Sequence, residues 1–151
     1  MFITFIENII LFYGDKQMKT ITANLVADEN ERLDVTQKQF NGFYPFHIEP
    51  SIYKVADHLS PSYDGGYWDF YRLSNGGFFQ APPDDQYKLI CSNGFEGVAS
   101  SFDFGIIVCL YTYSTLSFKP NLQEIMSKHY HALRDFALDL PKNEIIFKAI
   151  D

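Results

Sequence analysis

After Pro50 the apolar residues Ile52, Val55, Ala56 and Leu59 recur at i, i+3, i+4 and i+7, the spacing of one helical face. Ser51 stands where a cap would sit, and Pro61 forces a stop. A longer stripe runs from Asn121 to Leu140, with Leu122, Ile125, Met126, His129, Leu133, Phe136, Ala137 and Leu140 on one side. Asn121 with Glu124 three residues on has the form of a capping box. Pro141 then opens a short last helix, with Ile145, Ile146, Ala149 and Ile150 facing inward. The run Phe104 to Tyr113, FGIIVCLYTY, is apolar throughout, and periodicity cannot assign such a run. Its length, with Asp103 before it and a tail to Phe118, and the N-caps offered by Ser100, Ser101 and Asp103 favour a buried helix.

Strand-like runs fill the middle: Tyr67 to Leu73, Gly77 to Ala81 and Tyr87 to Ser92, separated by turn residues. Thr20 to Ala27 has weak strand character, while the polar stretch Asp28 to Phe40 reads mostly as loop with at most a short helix. Strands grouped between helical runs predict an α+β fold, a single compact domain in which a small antiparallel β-meander packs against several α-helices.

Within that meander, Gly65 to Phe79 reads GGYWDFYRLSNGGFF. A phosphate-cradling loop would open a helix and supply successive backbone N–H groups, but here each glycine pair flanks a strand and no GK[ST] follows. Asn75-Gly76 instead predicts a two-residue type I′ hairpin turn. That turn pairs Leu73 with Phe78, Arg72 with Phe79, Tyr71 with Gln80 and Phe70 with Ala81. One face then carries Trp68, Phe70, Phe79 and Ala81, and is expected to pack against a helix. The other carries Tyr67, Asp69, Tyr71, Leu73, Phe78 and Gln80. Its mixture of rings and polar groups suits either an exposed recognition face or a buried one whose polar tips find internal hydrogen bonds. The candidate interaction surface is therefore Tyr67, Asp69, Tyr71 and Gln80, with the Asn75-Gly76 tip.

Length and composition narrow the choice of function. The 151 residues suffice for one domain with its own core, and aromatic residues at 17% predict that this core is rich in rings. A net charge of −7 argues against general attraction to nucleic acid or an anionic membrane. Mimicry of duplex DNA needs roughly one charge per 1.7 Å of axis, whereas the 19 acidic residues are scattered and densest only in Asp28 to Arg32. Cys91 and Cys109 lack the spacing and partners of a structural zinc site and read as buried, reduced thiols. No cofactor and no metal are expected.

The opening MFITFIENIILFY is too short to span a bilayer, lacks a basic leader and cleavage site, and is interrupted by Glu7 and Asn8; a cytoplasmic protein is expected. Gly14-Asp15-Lys16-Gln17 can be encoded as GGAGATAAACAA, which is similar to a bacterial ribosome-binding site before Met18. Residues 1–17 are thus expected to be an extension from an alternative start and residues 18–151 the domain, a division that intact mass of the native protein tests.

Catalytic constellations are sparse. His129 lies on an apolar stripe, as a hydrogen-bonded core histidine would, and His131 lies on another face, spaced for a surface pair with Asp135. His58 sits near a helix C-terminus, and His47 lies in a proline-flanked stretch. Asp64 and Asp69 form the single compact pair of carboxylates near the hairpin, the basis of an alternative reading as a metal-dependent nuclease or other hydrolase on DNA. Asp64 has an ordinary use in the turn before Gly65. Base stacking on Tyr67, Tyr71 and Phe78 would need phosphate contacts that Arg72 alone does not supply.

Three ordered segments carry a resemblance: YDGGYWDFYRLSNGGFFQAP (Tyr63 to Pro82), GIIVCL (Gly105 to Leu110) and YHALRDFALDLPKNEIIFKAID (Tyr130 to Asp151). The chain from about Leu33 onward resembles the ArdB/KlcA antirestriction family carried by plasmids and other mobile elements of bacteria. Phe79 and Phe136 stand where that family commonly has Tyr, and Gln80 where it has Met. The resemblance implies a compact α+β domain that relieves type I restriction without extended DNA mimicry and without established catalytic residues. The expectation for this chain is action through protein interaction rather than catalysis, with a component of the restriction system or a host factor controlling it as partner, and a monomer or weak homodimer as its state.

Overall fold

The computed structural model describes residues 20–151; the start-site expectation for residues 1–17 lies outside them. The chain enters through β1 (Ala23–Leu25) and continues into α1 (Glu29–Phe40). A π-helical turn (Tyr44–Ile48) leads into α2 (Glu49–Leu59). Strands β2 (Asp69–Leu73), β3 (Phe78–Ala81), β4 (Gln86–Ile90) and β5 (Glu96–Ser100) follow, and then α3 (Ser101–Leu116), α4 (Gln123–Asp139) and α5 (Glu144–Ile150). The class is α+β as expected, but the strands divide into two antiparallel sheets, β1-β2-β3 and β4-β5.

α3 is the central element. Ser100, the last residue of β5, caps it by accepting from the Asp103 backbone N–H at 3.1 Å. Phe104 through Leu110 are buried without interruption, which explains why no amphipathic period was visible in the sequence. α4 lays Met126, His129, Leu133, Phe136 and Ala137 against this core, and α5 contributes Ile146 and Ala149. Tyr111 ties α5 to α3 by donating to the Ala149 carbonyl at 2.6 Å. The expected ring-rich core is present: Phe40 meets Phe78 edge-on at 5.3 Å, and Tyr87 stacks on Phe104 at 4.6 Å. Cys91 and Cys109 are buried free thiols.

Several local expectations are corrected. Asp28–Phe40 contains a 12-residue helix, because Asp28 caps it by accepting from the Asn30 N–H at 2.9 Å, while Val35, Thr36 and Phe40 face inward. Ser51 lies inside α2 and bonds back to the His47 carbonyl; Pro50 occupies the first turn after a π-turn closed by Ile48 N–H to Phe43 O. The residue flanking the start of α4 is Leu122, not Asn121, and no side chain caps it. Strand β5 is not among the expected strands, because its small and polar sequence EGVAS carries little strand signal.

The hairpin register also differs by one residue. Asp69 pairs with Ala81, Phe70 with Gln80, Tyr71 with Phe79 and Arg72 with Phe78. The turn has three residues: Leu73 N–H donates to Gly77 O at 2.9 Å, and Gly76 N–H to Leu73 O at 3.0 Å. Gly76 has φ +89°, while Asn75 keeps a negative φ. This is a type I turn closed by a glycine bulge rather than type I′. The cause is the Asn75 side chain, which donates to Ala132 O of α4 at 2.8 Å and accepts from Gly77 N–H at 3.1 Å. Phe79 and Ala81 consequently share a face with Asp69 and Tyr71, and Phe78 and Gln80 share one with Phe70.

Candidate functional site: the cleft between α1 and β2

The six residues singled out from the sequence separate in space. Tyr67 is 55% exposed and turns toward α1, where its hydroxyl donates to Glu29 Oε1 at 3.1 Å. Tyr71 lies on the opposite side of the sheet, stacked on Phe79 with ring centroids 4.8 Å apart, and Asp69 is exposed beside it. Asn75 and Gly76 sit at the tip, anchored to α4. Gln80 is fully buried and belongs to no surface. The one-residue shift explains this, since it moves Gln80 onto the inward face with Phe70 and Phe78.

Gln80 has an internal partner instead. Tyr44 donates to its Oε1 at 2.5 Å, while Gln80 Nε2 has no partner among the described residues. Burial pushes the Tyr44 hydroxyl far above its ordinary pKa, with the Glu49 charge adding to the effect. Tyr44 is therefore a neutral donor at any physiological pH.

What the sequence did not reveal is the residue that organises Tyr67. The Arg32 guanidinium lies 3.5 Å from the centroid of the Phe70 ring and 4.5 Å from that of Tyr67, a cation–π stack contributed by α1. Once Asp28–Phe40 is known to be helical, Glu29 and Arg32 fall one turn apart and meet Tyr67 together. Around them is a cleft of about 390 Å³, lined also by Leu33, Tyr44, Glu49 and Phe70. Leu33 is 76% exposed. The cleft offers apolar and ring contact with one oriented cation and two carboxylates.

The histidines and carboxylates make no comparable centre. His129 is buried against Phe40 and Tyr113, and its Nε2 donates to Gln39 O at 2.8 Å. Burial lowers its pKa. Among the described residues, no group of three or more His, Cys, Asp and Glu is placed to hold a metal ion. Asp64 and Asp69 thus lack the further ligand that the hydrolase alternative would need. No helix of the described residues is long and apolar enough to cross a membrane.

The fold is that of an α+β domain, and its cleft presents rings, an aligned guanidinium, two carboxylates and an exposed leucine. The chain belongs to the antirestriction protein family, whose profile matches residues 61–151. It is 34% identical to the antirestriction protein KlcA of Escherichia coli, over 89% of this chain and 98% of that one. Similarity to the uncharacterized protein YafX of Escherichia coli (strain K12) is 35% identity over 87% and 88% of the two chains. The fold matches a solved structure of the KlcA and ArdB proteins with a TM-score of 0.79 and 33% identity, over 87% of this chain and 95% of that one. Those proteins are described as having a novel fold and antirestriction activity against type I DNA restriction systems in vivo but not in vitro.

Proposed function

We propose that this protein relieves type I restriction of incoming DNA in the bacterial cell by binding a protein, either a component of the restriction system or a host factor that controls it. Membership of the antirestriction family supports the activity. Activity in vivo but not in vitro, reported for the KlcA and ArdB proteins, fits a partner that only the cell supplies. Scattered acidic residues and the absence of a metal-ligating cluster among the described residues favour contact over DNA mimicry or hydrolysis.

The observation that carries the choice of surface is the Arg32 stack. Arg32 is held between Phe70 and Tyr67, with exposed Leu33 beside it, and protein interfaces favour aromatic and arginine anchors of this kind. Asp69, near the end of the same β2 segment, extends the surface around the strand. The partner would seat an apolar side chain in the cleft.

Plating of unmodified phage on a type I restricting host measures the activity. Expression of the native chain should raise plating efficiency, and the Tyr67→Ala/Asp69→Ala variant should abolish the protection while accumulating to the same soluble level. Full protection by that variant would remove this surface from the mechanism. Capture of partners from restricting and non-restricting hosts, compared side by side, then distinguishes a restriction subunit from a host factor.

A further inference from the structure

A second cleft, of about 540 Å³, lies between α2, α3 and the β4–β5 turn, and shares no lining residue with the Arg32 cleft. Its apolar part is Val55 and Leu59 from α2 with Leu116 from α3; both leucines are buried. Its rim carries Lys54, His58 and Lys119, all exposed. Asp and Glu are absent from its lining although the chain carries a net charge of −7. Among the described residues the ion pairs are Lys38 with Asp34 and Arg72 with Glu31, so the two lysines of this rim have no carboxylate partner there.

We propose that this cleft binds a short acidic segment of a partner protein, in which carboxylate side chains flank an apolar one. The apolar side chain enters between Val55, Leu59 and Leu116, and the carboxylates meet the rim. Lys54 and His58 are four residues apart on α2, a rise of about 6 Å, which matches the roughly 6.6 Å between alternate residues of an extended peptide. An apolar floor with charge confined to an exposed rim is the anatomy of a protein interface. A site enclosing a small organic anion would place polar anchors inside. The buried polar residue of the lining is Thr112, and its hydroxyl already donates to Val108 O at 2.8 Å.

The test uses the full chain and the methyl resonances of Val55, Leu59 and Leu116. The probe is the blocked pentapeptide acetyl-Ala-Asp-Leu-Asp-Ala-amide; its Asn-Leu-Asn counterpart is the neutral control, and octanoate represents a small carboxylate. Saturable shifts with the acidic peptide, weakened about ten-fold by the Lys54→Gln/Lys119→Gln variant and by high salt, are expected. The neutral peptide should bind about ten-fold more weakly. Three results would each overturn the proposal: no saturable shift at millimolar peptide, equal binding of the neutral peptide, or saturation by octanoate without binding of the peptide. The readout is independent of the plating assay, so loss of either proposal leaves the other standing.

Discussion

Tyr113 of α3 donates a 2.6 Å hydrogen bond to the backbone carbonyl of Phe78 in β3. Because β3 is the edge of its sheet, the Phe78 and Gln80 carbonyls point away from β2. One turn earlier on α3, the Cys109 thiol points at Gln80 O at 3.8 Å, and one turn before that stands Gly105. The helix stripe Gly105, Cys109, Tyr113 thus closes the sheet edge. Burial pushes the Cys109 thiol up to about 12, outweighing the opposing effect of its Gln80 and Tyr113 neighbours, so it stays protonated.

The closeness of this contact makes Gly105 sensitive. A Cβ there would lie 2.4 Å from Gln80 O and 2.8 Å from Ala81 Cα, both backbone atoms of a paired strand. Gly105→Ala should cost about 3 kcal/mol or more. Tyr113→Phe, which leaves the Phe78 carbonyl unpaired, should cost about 1–3 kcal/mol. Urea unfolding of both variants checks the order.

The Gln80–Tyr44 pair predicts strong coupling. Gln80→Met removes the unpartnered Nε2 but orphans the Tyr44 hydroxyl, and Tyr44→Phe leaves both ends of the Gln80 amide unpaired. Each single variant should lose about 1–3 kcal/mol. The double variant, with both polar ends gone, should return close to the parent stability, so a double-mutant cycle gives a large interaction term. Additive losses would contradict the pairing.

Acid stability should register His129. Its pKa is lowered by burial from 6.5, so the unfolded chain takes up a proton more readily than the folded one. The stability of the neutral form is complete above pH 6.5 and is lost as pH falls below that value toward the lower folded pKa. The urea midpoint should therefore begin to fall as pH drops through about 6.5, above the ordinary range of carboxylates. His129→Gln, which retains a donor for Gln39 O, should flatten that decline.

Trp68 separates stability from interaction. Its ring is 2% exposed, and Nε1 donates to the Tyr63 hydroxyl at 3.1 Å. Trp68→Ala should cost about 3–5 kcal/mol, while Tyr67→Ala, at the next position but on the surface, should leave the urea midpoint nearly unchanged. Equal losses from the two would show that Tyr67 acts through the fold.

The three segments that carried the family resemblance meet in space. Gly105 of GIIVCL abuts Gln80 and Ala81, and Ala132 of YHALRDF holds Asn75 and approaches Gly77. The glycine-rich stretch is therefore architecture: Gly76 turns the hairpin, Gly77 lets it dock on α4, and Gly66 lies against Pro83. Pattern alone located α2, α3, α4 and α5, because helical periodicity, long apolar runs and prolines are local properties. It missed α1, whose outward side is polar and whose Arg32 serves a ring on another element, and β5, whose small residues carry little strand signal.

Register and site are not local. Asn75-Gly76 is compatible with either a two- or a three-residue turn, and a hydrogen bond to Ala132 O on α4 decides between them. That single residue of register moved Gln80 from a surface into the core. The cleft likewise joins Arg32 of α1 to Tyr67 and Phe70, far along the chain, and no spacing in the sequence encodes their approach. The sequence determined the fold class, the family and most helices through local chemistry; tertiary packing alone decided which residues line the cleft, because contact between distant elements sets strand register and brings cation and rings together.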